Sequence, residues 1–456
     1  MNAKRLISVL TALIMTMLLC VPAYADPLPG VFVRSAPLIR SGETKNGMVR
    51  VWLESLGNPS KLTVTVTGNY SVNGNTAMSL SSGDSVSIGF DSVTGEITMT
   101  MDGLTYAMGQ EMRLRRHQAN GTSAVSIAQS KRPSNLYPGD LQLLAVKTAS
   151  GYKLMPIVHI YIEYYLYGVV PYEMSSSSPI EALKAQAVAA RTYTLRRLNG
   201  RVSYDYDIGD TSSDQVYYGY TGSVTNATKA VDETRGIVIM NDGSLSGTYY
   251  TASNGGQTEA VKNAWGGTAY PYLGVKDDPF DLMNSGRIRR KLKVYSYIAH
   301  TAQNATLKQL LSDAIKEKLG ETAEIQTINS IIPPTPKYAA PSRLYTMMDF
   351  NVTALVGMTY AEETLSFSIF SDLEGPLEMS INKNNKNELW AVETVAENFL
   401  ITVGRYGHGI GMSQRGAQEM AQLGYTYDQI LGFYYDGCER VQHTFTHTIL
   451  SAGRSN

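Results

Sequence analysis

Within the stretch Tyr165–Arg197, YLYGVVPYEMSSSSPIEALKAQAVAARTYTLRR, three ionisable side chains have the types and spacing to act on one ligand. Glu173 closes an apolar, strand-like run, and Lys184 and Arg191 follow among alanines on a segment that reads as a helix. Helical geometry puts Lys184 and Arg191 within about 20° on one face and roughly 10 Å apart along the axis. Ala187 and Val188 between them are small enough to let an extended ligand approach. A carboxyl at the end of a strand facing a helix can give and take a proton, and two aligned cations can hold an anion. The same pattern also fits a solvated helix face beside an exposed glutamate, and spacing alone leaves both readings open.

Two further constellations carry chemistry-bearing residues. In GRYGHGIGMSQRGAQEMAQLGY, His408 stands between Gly407 and Gly409, with Gly411 two residues on. Glycines at that density imply unusual backbone angles or a close approach of the backbone, around either a site or a tight structural turn. Ser413, Gln414 and Arg415 then open a helix whose first amides can receive an anion or a sugar hydroxyl. In TASNGGQTEAVKNAWGGTAYPYLG, Ser253 begins a polar turn after a strand, with Gln257 just beyond it. Trp265 and Tyr272 can stack on sugar faces, though a hairpin turn beside core aromatics reads equally well. His443 and His447 in HTFTH have helical metal spacing, but the neighbouring residues favour a strand, which would hold them about 13 Å apart. Cys438 reads as a buried thiol rather than a nucleophile, and there is no GxSxG elbow, phosphate-binding loop or zinc-finger spacing.

These residues need elements to position them. Ser178-Pro179-Ile180-Glu181 has the form of a capping box, with proline at the first helical position. LQLLAV and the whole run LMPIVHIYIEYYLYGVV read as strands. From about Leu28 to Arg132, KLTVTVTG, DSVSIGF and GEITMTMDG alternate polar and apolar positions between turn residues, predicting a β-rich region. KRPSNLYPGD marks its end, a helix is expected from Thr306 to Leu319 before Gly320, and IIPPTPKYAAPSR is a proline-rich connector. FNVTALV and TLSFSIF follow as strands, and two helices close the chain, after Ser413 and from Thr426. The expected fold class is α+β, a mixed strand-rich core with a few helices lining a cleft. The expected division is an export signal at 1–25, a β-rich accessory region at 26–133, a core at 134–280, an inserted or connecting region at 281–395, and the rest of the core at 396–456.

Whole-chain properties narrow the classes. Lys4 and Arg5 precede the apolar run Leu6 to Leu19 and then VPAYADPLP, the pattern of an export signal cleaved after Ala25. That run would reach about 21 Å as a helix, short of a ~30 Å bilayer core, so an uncleaved anchor is the alternative rather than the expectation. Without Lys4 and Arg5, the 39 basic residues fall to 37 against 40 acidic ones, which argues against nucleic acid as a partner. Beyond the signal only Cys438 remains, so no intrachain disulfide can form.

YLYGVVPYEM, EALKAQAVAARTY, DTSSDQVYYGY, SNGGQTE and GHGIGMSQRGA, in this order, resemble the family of stage II sporulation protein D and the amidase enhancers. The resemblance runs through Tyr137 to Gly274 and Gly404 to Gly437, and is weak from Phe280 to Leu400. It implies a peptidoglycan lytic transglycosylase that cuts between N-acetylmuramic acid and N-acetylglucosamine and leaves 1,6-anhydro ends. On it, Glu173 matches the family's catalytic glutamate, and Lys184 and Arg191 match a lysine and an arginine of the cleft. Those two are expected to bind the lactyl carboxylate of strands whose stem peptides have been removed. His408 and Gln414 are expected to shape the substrate site, and Ser253 and Gln257 to contact sugar. Some members hold a metal near DIGDTSSDQVYYG. Here Gly209 and Asp214 stand in that neighbourhood without a cysteine, so no metal and no cofactor are expected. A non-catalytic enhancer of a cell-wall amidase is the alternative the same resemblance allows.

Overall fold

In Lys61–Thr67 the alternation of KLTVTVT buries Leu62, Val64 and Val66 and leaves the threonines toward solvent, as a half-buried strand requires. The computed structural model describes residues 47–118, 121–201, 204–382 and 385–444, with the two-residue strand Arg34–Ser35. The expected export signal and His447 lie outside the described residues. Lys61–Thr67 belongs to a six-stranded sheet with Ser85–Phe90, Ile97–Met101, Leu104–Gly109, Ala124–Ile127 and Tyr137–Pro138. A seven-stranded sheet runs in the order Ile208–Gly209, Met48–Trp52, Gly151–Tyr161, Asp140–Thr148, Glu111–Arg116, Tyr70–Val72 and Asn75–Leu80. Its strands come from both sides of residue 133, and buried apolar side chains from Val49 to Phe280 and from Ile410 to Val441 form one cluster. The β-rich N-terminal stretch therefore shares sheet and core with the helical part that follows.

Among the described residues the α-helices are α1 (Ile162–Glu173), α2 (Ile180–Asn199), α3 (Asn226–Glu233), α4 (Val261–Trp265), α5 (Pro279–Met283), α6 (Ala305–Leu319), α7 (Gln414–Gln422) and α8 (Tyr427–Tyr434). Ala182, Leu183, Ala185, Ala187, Val188, Ala189 and Ala190 are all fully buried, because α1, α3, α7 and α8 pack around α2. Alanines let that many backbones come close, and the polar side chains buried with them, such as Arg191 and Thr194, are met by hydrogen-bond partners.

Two local expectations change. The run LMPIVHIYIEYYLYGVV is not strand throughout: the strand stops at Tyr161 and α1 starts at Ile162, so Glu173 ends a helix. A continuous apolar run fits a buried strand and a buried helix equally, and β-branched residues do not separate the halves: Ile157, Val158 and Ile160 lie in the strand, Ile162, Val169 and Val170 in α1. The capping box at Ser178 does not form either, because Pro179 takes the cap position. Ser178 Oγ instead accepts from the Gln418 amide at 2.9 Å, and Glu181 accepts the Tyr427 N–H at 2.7 Å, serving the start of α8. The helices expected after Ser413 and from Thr426 do form, and both are capped: Ser413 Oγ accepts from Gly416 N–H, and Thr426 and Gln429 make a reciprocal box.

A second apolar cluster runs from Val294 to Val403. It lies among α6, the sheet Ala323–Ile332, Met347–Val356 and Thr359–Ser368, and the sheet Arg289–Val294, Asn398–Gly404 and Leu389–Val395. Asn398–Gly404 pairs with both its neighbours in that last sheet, so the region expected to end at 395 continues to the glycine-rich turn. The whole is a mixed α+β fold. No helix among the described residues is long and apolar enough to cross a membrane.

Candidate active site

The end of α1, the segment after Asp214, the turn around His408 and the N-terminus of α7 meet at a cleft of about 960 Å³. Glu173 lines it, half-buried, and its Oε1 accepts the Val216 N–H at 3.2 Å. Burial pushes its carboxyl above the usual glutamate range, against the opposing pull of the Val216 N–H and of the Gln414 and Tyr250 side chains. Hydrogen bonds, not cations, are what oppose that shift. Behind Glu173 the Tyr250 hydroxyl accepts from Gln215 Nε2 at 3.0 Å, and Gln215 Oε1 accepts from Thr194 at 2.8 Å and Tyr165 at 3.2 Å. This buried chain leaves the Tyr250 phenol neutral and fixed in place, its own pKa driven upward by burial.

Asp214 is the other carboxylate lining the cleft, and its oxygens are already engaged. Arg197 pairs with it, the Tyr193 hydroxyl donates to it at 3.2 Å, and the Gly209 N–H donates at 3.0 Å. Among the described residues no three His, Cys, Asp or Glu side chains converge, so the metal position of some family members has no fitting donor set in DIGDTSSDQVYYG.

His408 faces the cleft because its flanking glycines let the turn close. A side-chain carbon on Gly407 (φ 104°) would lie 2.2 Å from Thr251 Oγ1, and one on Gly409 (φ 78°) 2.7 Å from Arg405 Nε. His408 Nδ1 accepts the Ile410 N–H at 3.0 Å, and the ring sits 5.0 Å from that of Trp265. Burial, helped by the Arg405 charge, pushes its pKa down to about 4, so the ring is neutral at neutral pH. Gln414 lies across from Glu173 and contacts Gln186 at 3.3 Å.

The structure thus brings Glu173, His408 and Gln414 together, and leaves Lys184, Arg191, Ser253 and Gln257 elsewhere. Arg191 has no exposed surface: it bonds Glu163 through Nε at 2.9 Å and Nη2 at 2.7 Å, and reaches the carbonyls of Ile237 and Val231. Lys184 pairs with Glu181 and Glu233, each at 2.8 Å. The two cations do share a face of α2, but that face meets the end of α3, where Val231 and Glu233 lie, rather than the cleft. Neither cation is placed to hold a lactyl carboxylate in the cleft. Ser253 is buried and donates to Asp281 at 2.9 Å, and Gln257 is buried between Asp277, the Pro341 carbonyl and the Arg343 N–H. Neither is placed to meet a sugar.

Sequence reading missed what these two residues help to build. Asp281 accepts from Ser253, from Ser413 at 2.6 Å, and from the Asn254 and Gly255 amides. Asp278 accepts from Asn254 Nδ2 and the Tyr434 hydroxyl, both at 2.7 Å, and burial with the Asp281 charge pushes it up to about 6. Arg405 adds bonds to Glu259 and to the carbonyls of Asn254 and Gln257. SNGGQTE and GMSQRG are thereby knotted through DDPFD, which holds the His408 turn and the start of α7 at the cleft. The only signal in the chain is that acidic cluster shortly after Gly274.

A mixed α+β protein whose open cleft holds one carboxyl without a cationic partner is the class that fold and site define. Residues 150–241 match the family described as Stage II sporulation protein, SpoIID. A protein of Brachyspira hyodysenteriae, described as uncharacterized, is 32% identical over 289 residues, 62% of this chain and 67% of that one. The chain belongs to the stage II sporulation protein D family. Stage II sporulation protein D of Bacillus subtilis is 26% identical over 338 residues, 71% of this chain and 85% of that one. The amidase enhancer of Bacillus subtilis is 31% identical over 289 residues, 60% of this chain, and the match spans only 39% of the enhancer's length.

Proposed function

We propose that this protein is a peptidoglycan lytic transglycosylase acting on peptide-stripped glycan strands during cell-wall remodelling in sporulation. The observation that carries the reading is Glu173: a half-buried carboxyl lining an open cleft, its pKa raised by burial. A glutamate so held keeps its proton at higher pH than a solvated one and can act as general acid. It gives that proton to the glycosidic oxygen as the bond from muramic acid C1 breaks. The resulting carboxylate then takes the proton of the muramic acid 6-hydroxyl, whose oxygen closes on C1. One bond breaks, one forms, no water is consumed, and Glu173 ends protonated.

Hydrolysis would require a second carboxylate free to act as nucleophile or to activate water. Asp214 is tied up by Arg197, Tyr193 and the Gly209 amide, which supports the single-carboxylate route. The same reading puts the protein outside the cytoplasmic membrane, exported by residues 1–25.

The relative named amidase enhancer favours a second reading, in which the cleft binds glycan and the protein stimulates an amidase without cutting. Mass spectrometry of products from peptide-free glycan strands separates the two. Anhydro-muramic ends formed by the protein and not by Glu173→Gln are expected. Ordinary reducing ends would point to hydrolysis, and binding without any product would favour the enhancer.

A further inference from the structure

Beyond Trp265 the cleft opens into a second compartment of about 270 Å³, which shares Trp265, His408 and Asn385 with the first. Trp265 stands at the junction, 51% exposed yet fixed in orientation. Tyr249 meets its ring edge-on at 4.9 Å, and His408 packs at 5.0 Å. An indole held on its flanks while half of it faces solvent is a ready platform for the apolar face of a sugar. The far wall comes from the region of the second core, through Lys337, Tyr338, Asn385 and Lys386. Tyr338 pins that wall to α4, donating its hydroxyl to the Asn263 carbonyl at 2.6 Å.

Charge distinguishes the two compartments. In the first, the arginine is Arg197, and Asp214 neutralises it. In the second, Lys386 is paired with the buried Glu374 at 2.6 Å, and the lining carboxylate Glu259 is paired with Arg405 at 3.3 Å. Lys337 is exposed and forms no ion pair among the described residues; its ammonium lies 5.2 Å from the Tyr338 ring centre. A peptide-free strand carries one carboxylate on every second sugar, so a glycan seated with one muramic acid at Glu173 presents the next carboxylate farther along the cleft.

We propose that the compartment beyond Trp265 is a remote subsite for a second muramic acid unit, with Trp265 stacking on the sugar and Lys337 pairing with its free lactyl carboxylate. The inference rests on the glycan-cutting reading above. It gives the 281–404 region a part in substrate choice: an amide-linked stem peptide would remove the charge that Lys337 reads.

The test is equilibrium binding of peptide-free glycan oligomers of two disaccharides to the non-cutting Glu173→Gln protein, at low and moderate salt. Oligomers with lactyl carboxyls reduced to alcohols serve as controls, and the circular dichroism and melting of each variant are checked. Adding Lys337→Ala should weaken binding of the acidic oligomer about fivefold at low salt, less with added salt, and leave the reduced oligomer unaffected. Adding Trp265→Ala should weaken both oligomers about tenfold. Equal affinity of the Lys337→Ala and parent proteins for the acidic oligomer, or an equal loss with the reduced one, overturns the subsite while leaving the glycan reading standing. A folded Glu173→Gln protein that binds neither oligomer overturns the glycan reading, and the subsite with it.

Discussion

Glu163 and Glu173 stand at opposite ends of α1, and the fold treats them in opposite ways. Glu163, with no exposed surface, accepts two bonds from Arg191 and one from the Gly236 N–H at 3.0 Å. It also sits in the first turn, where the helix dipole favours an anion. Glu173 lies at the other end, where the dipole disfavours a carboxylate, and its hydrogen-bonding neighbours, the Val216 N–H at 3.2 Å and the Gln414 and Tyr250 side chains, are all neutral. Both are removed from water to a degree, so burial is not what separates them. A carboxylate matched by a guanidinium is a brace, and one with only neutral donors beside open space is available for proton transfer.

The sharpest break of this comparison is at Glu173. Glu173→Gln should lower glycan cleavage by about 100- to 10,000-fold while glycan binding persists, as read by anhydro-muramic product against bound oligomer. Unchanged cleavage would remove Glu173 from the chemistry. Next comes the brace. Arg191→Ala should lose about 3–5 kcal/mol of stability in denaturant unfolding, because it strands a buried carboxylate. Replacing Glu163 and Arg191 together by leucine should recover much of that loss. Native stability combined with lost cleavage in Arg191→Ala would return this arginine to a substrate role.

A third expectation concerns pH. Cleavage should fall as pH rises through the raised pKa of Glu173, at a limb above the ordinary glutamate value of about 4.3, and pH–rate profiles measure it. Because its pKa is raised on folding, Glu173 contributes stability fully present below its unfolded pKa and lost as pH rises through the folded one. Glu173→Gln should therefore raise the melting temperature at neutral pH relative to the native protein, and lose that advantage in acid. The smallest effect is expected at Lys184, whose pairs with Glu181 and Glu233 are partly solvated. Lys184→Ala should change stability by less than about 1 kcal/mol and leave cleavage unaltered. A large loss of cleavage there would bring back the cationic cleft wall.

Some of this was legible in the chain. α6 spans almost the stretch expected, with Leu307, Leu311 and Ile315 buried at helical spacing and Gly320 ending it. The caps at Ser413 and Thr426 needed only their own side chains and nearby amides. The box at Ser178 does not form because Pro179 takes the cap position and Glu181 bonds a distant group, the Tyr427 amide, that no local pattern reveals. Trp265 was noticed as a stacking candidate, but the lysine that gives its compartment a charge lies in the stretch of weakest resemblance.

What the sequence alone determined is set by short-range rules: alternating strands, helix caps and stops, glycines crowded around His408, and an ordered set of motifs that named Glu173. Which charges face the cleft was decided by the tertiary structure. Lys184 and Arg191 share a helix face as spacing requires, yet nothing in that spacing says whether the face meets solvent, substrate or another helix. Packing α3 against it turned Arg191 into a partner for Glu163, while the opposite end of α1 left Glu173 with neutral donors only and an open cleft before it.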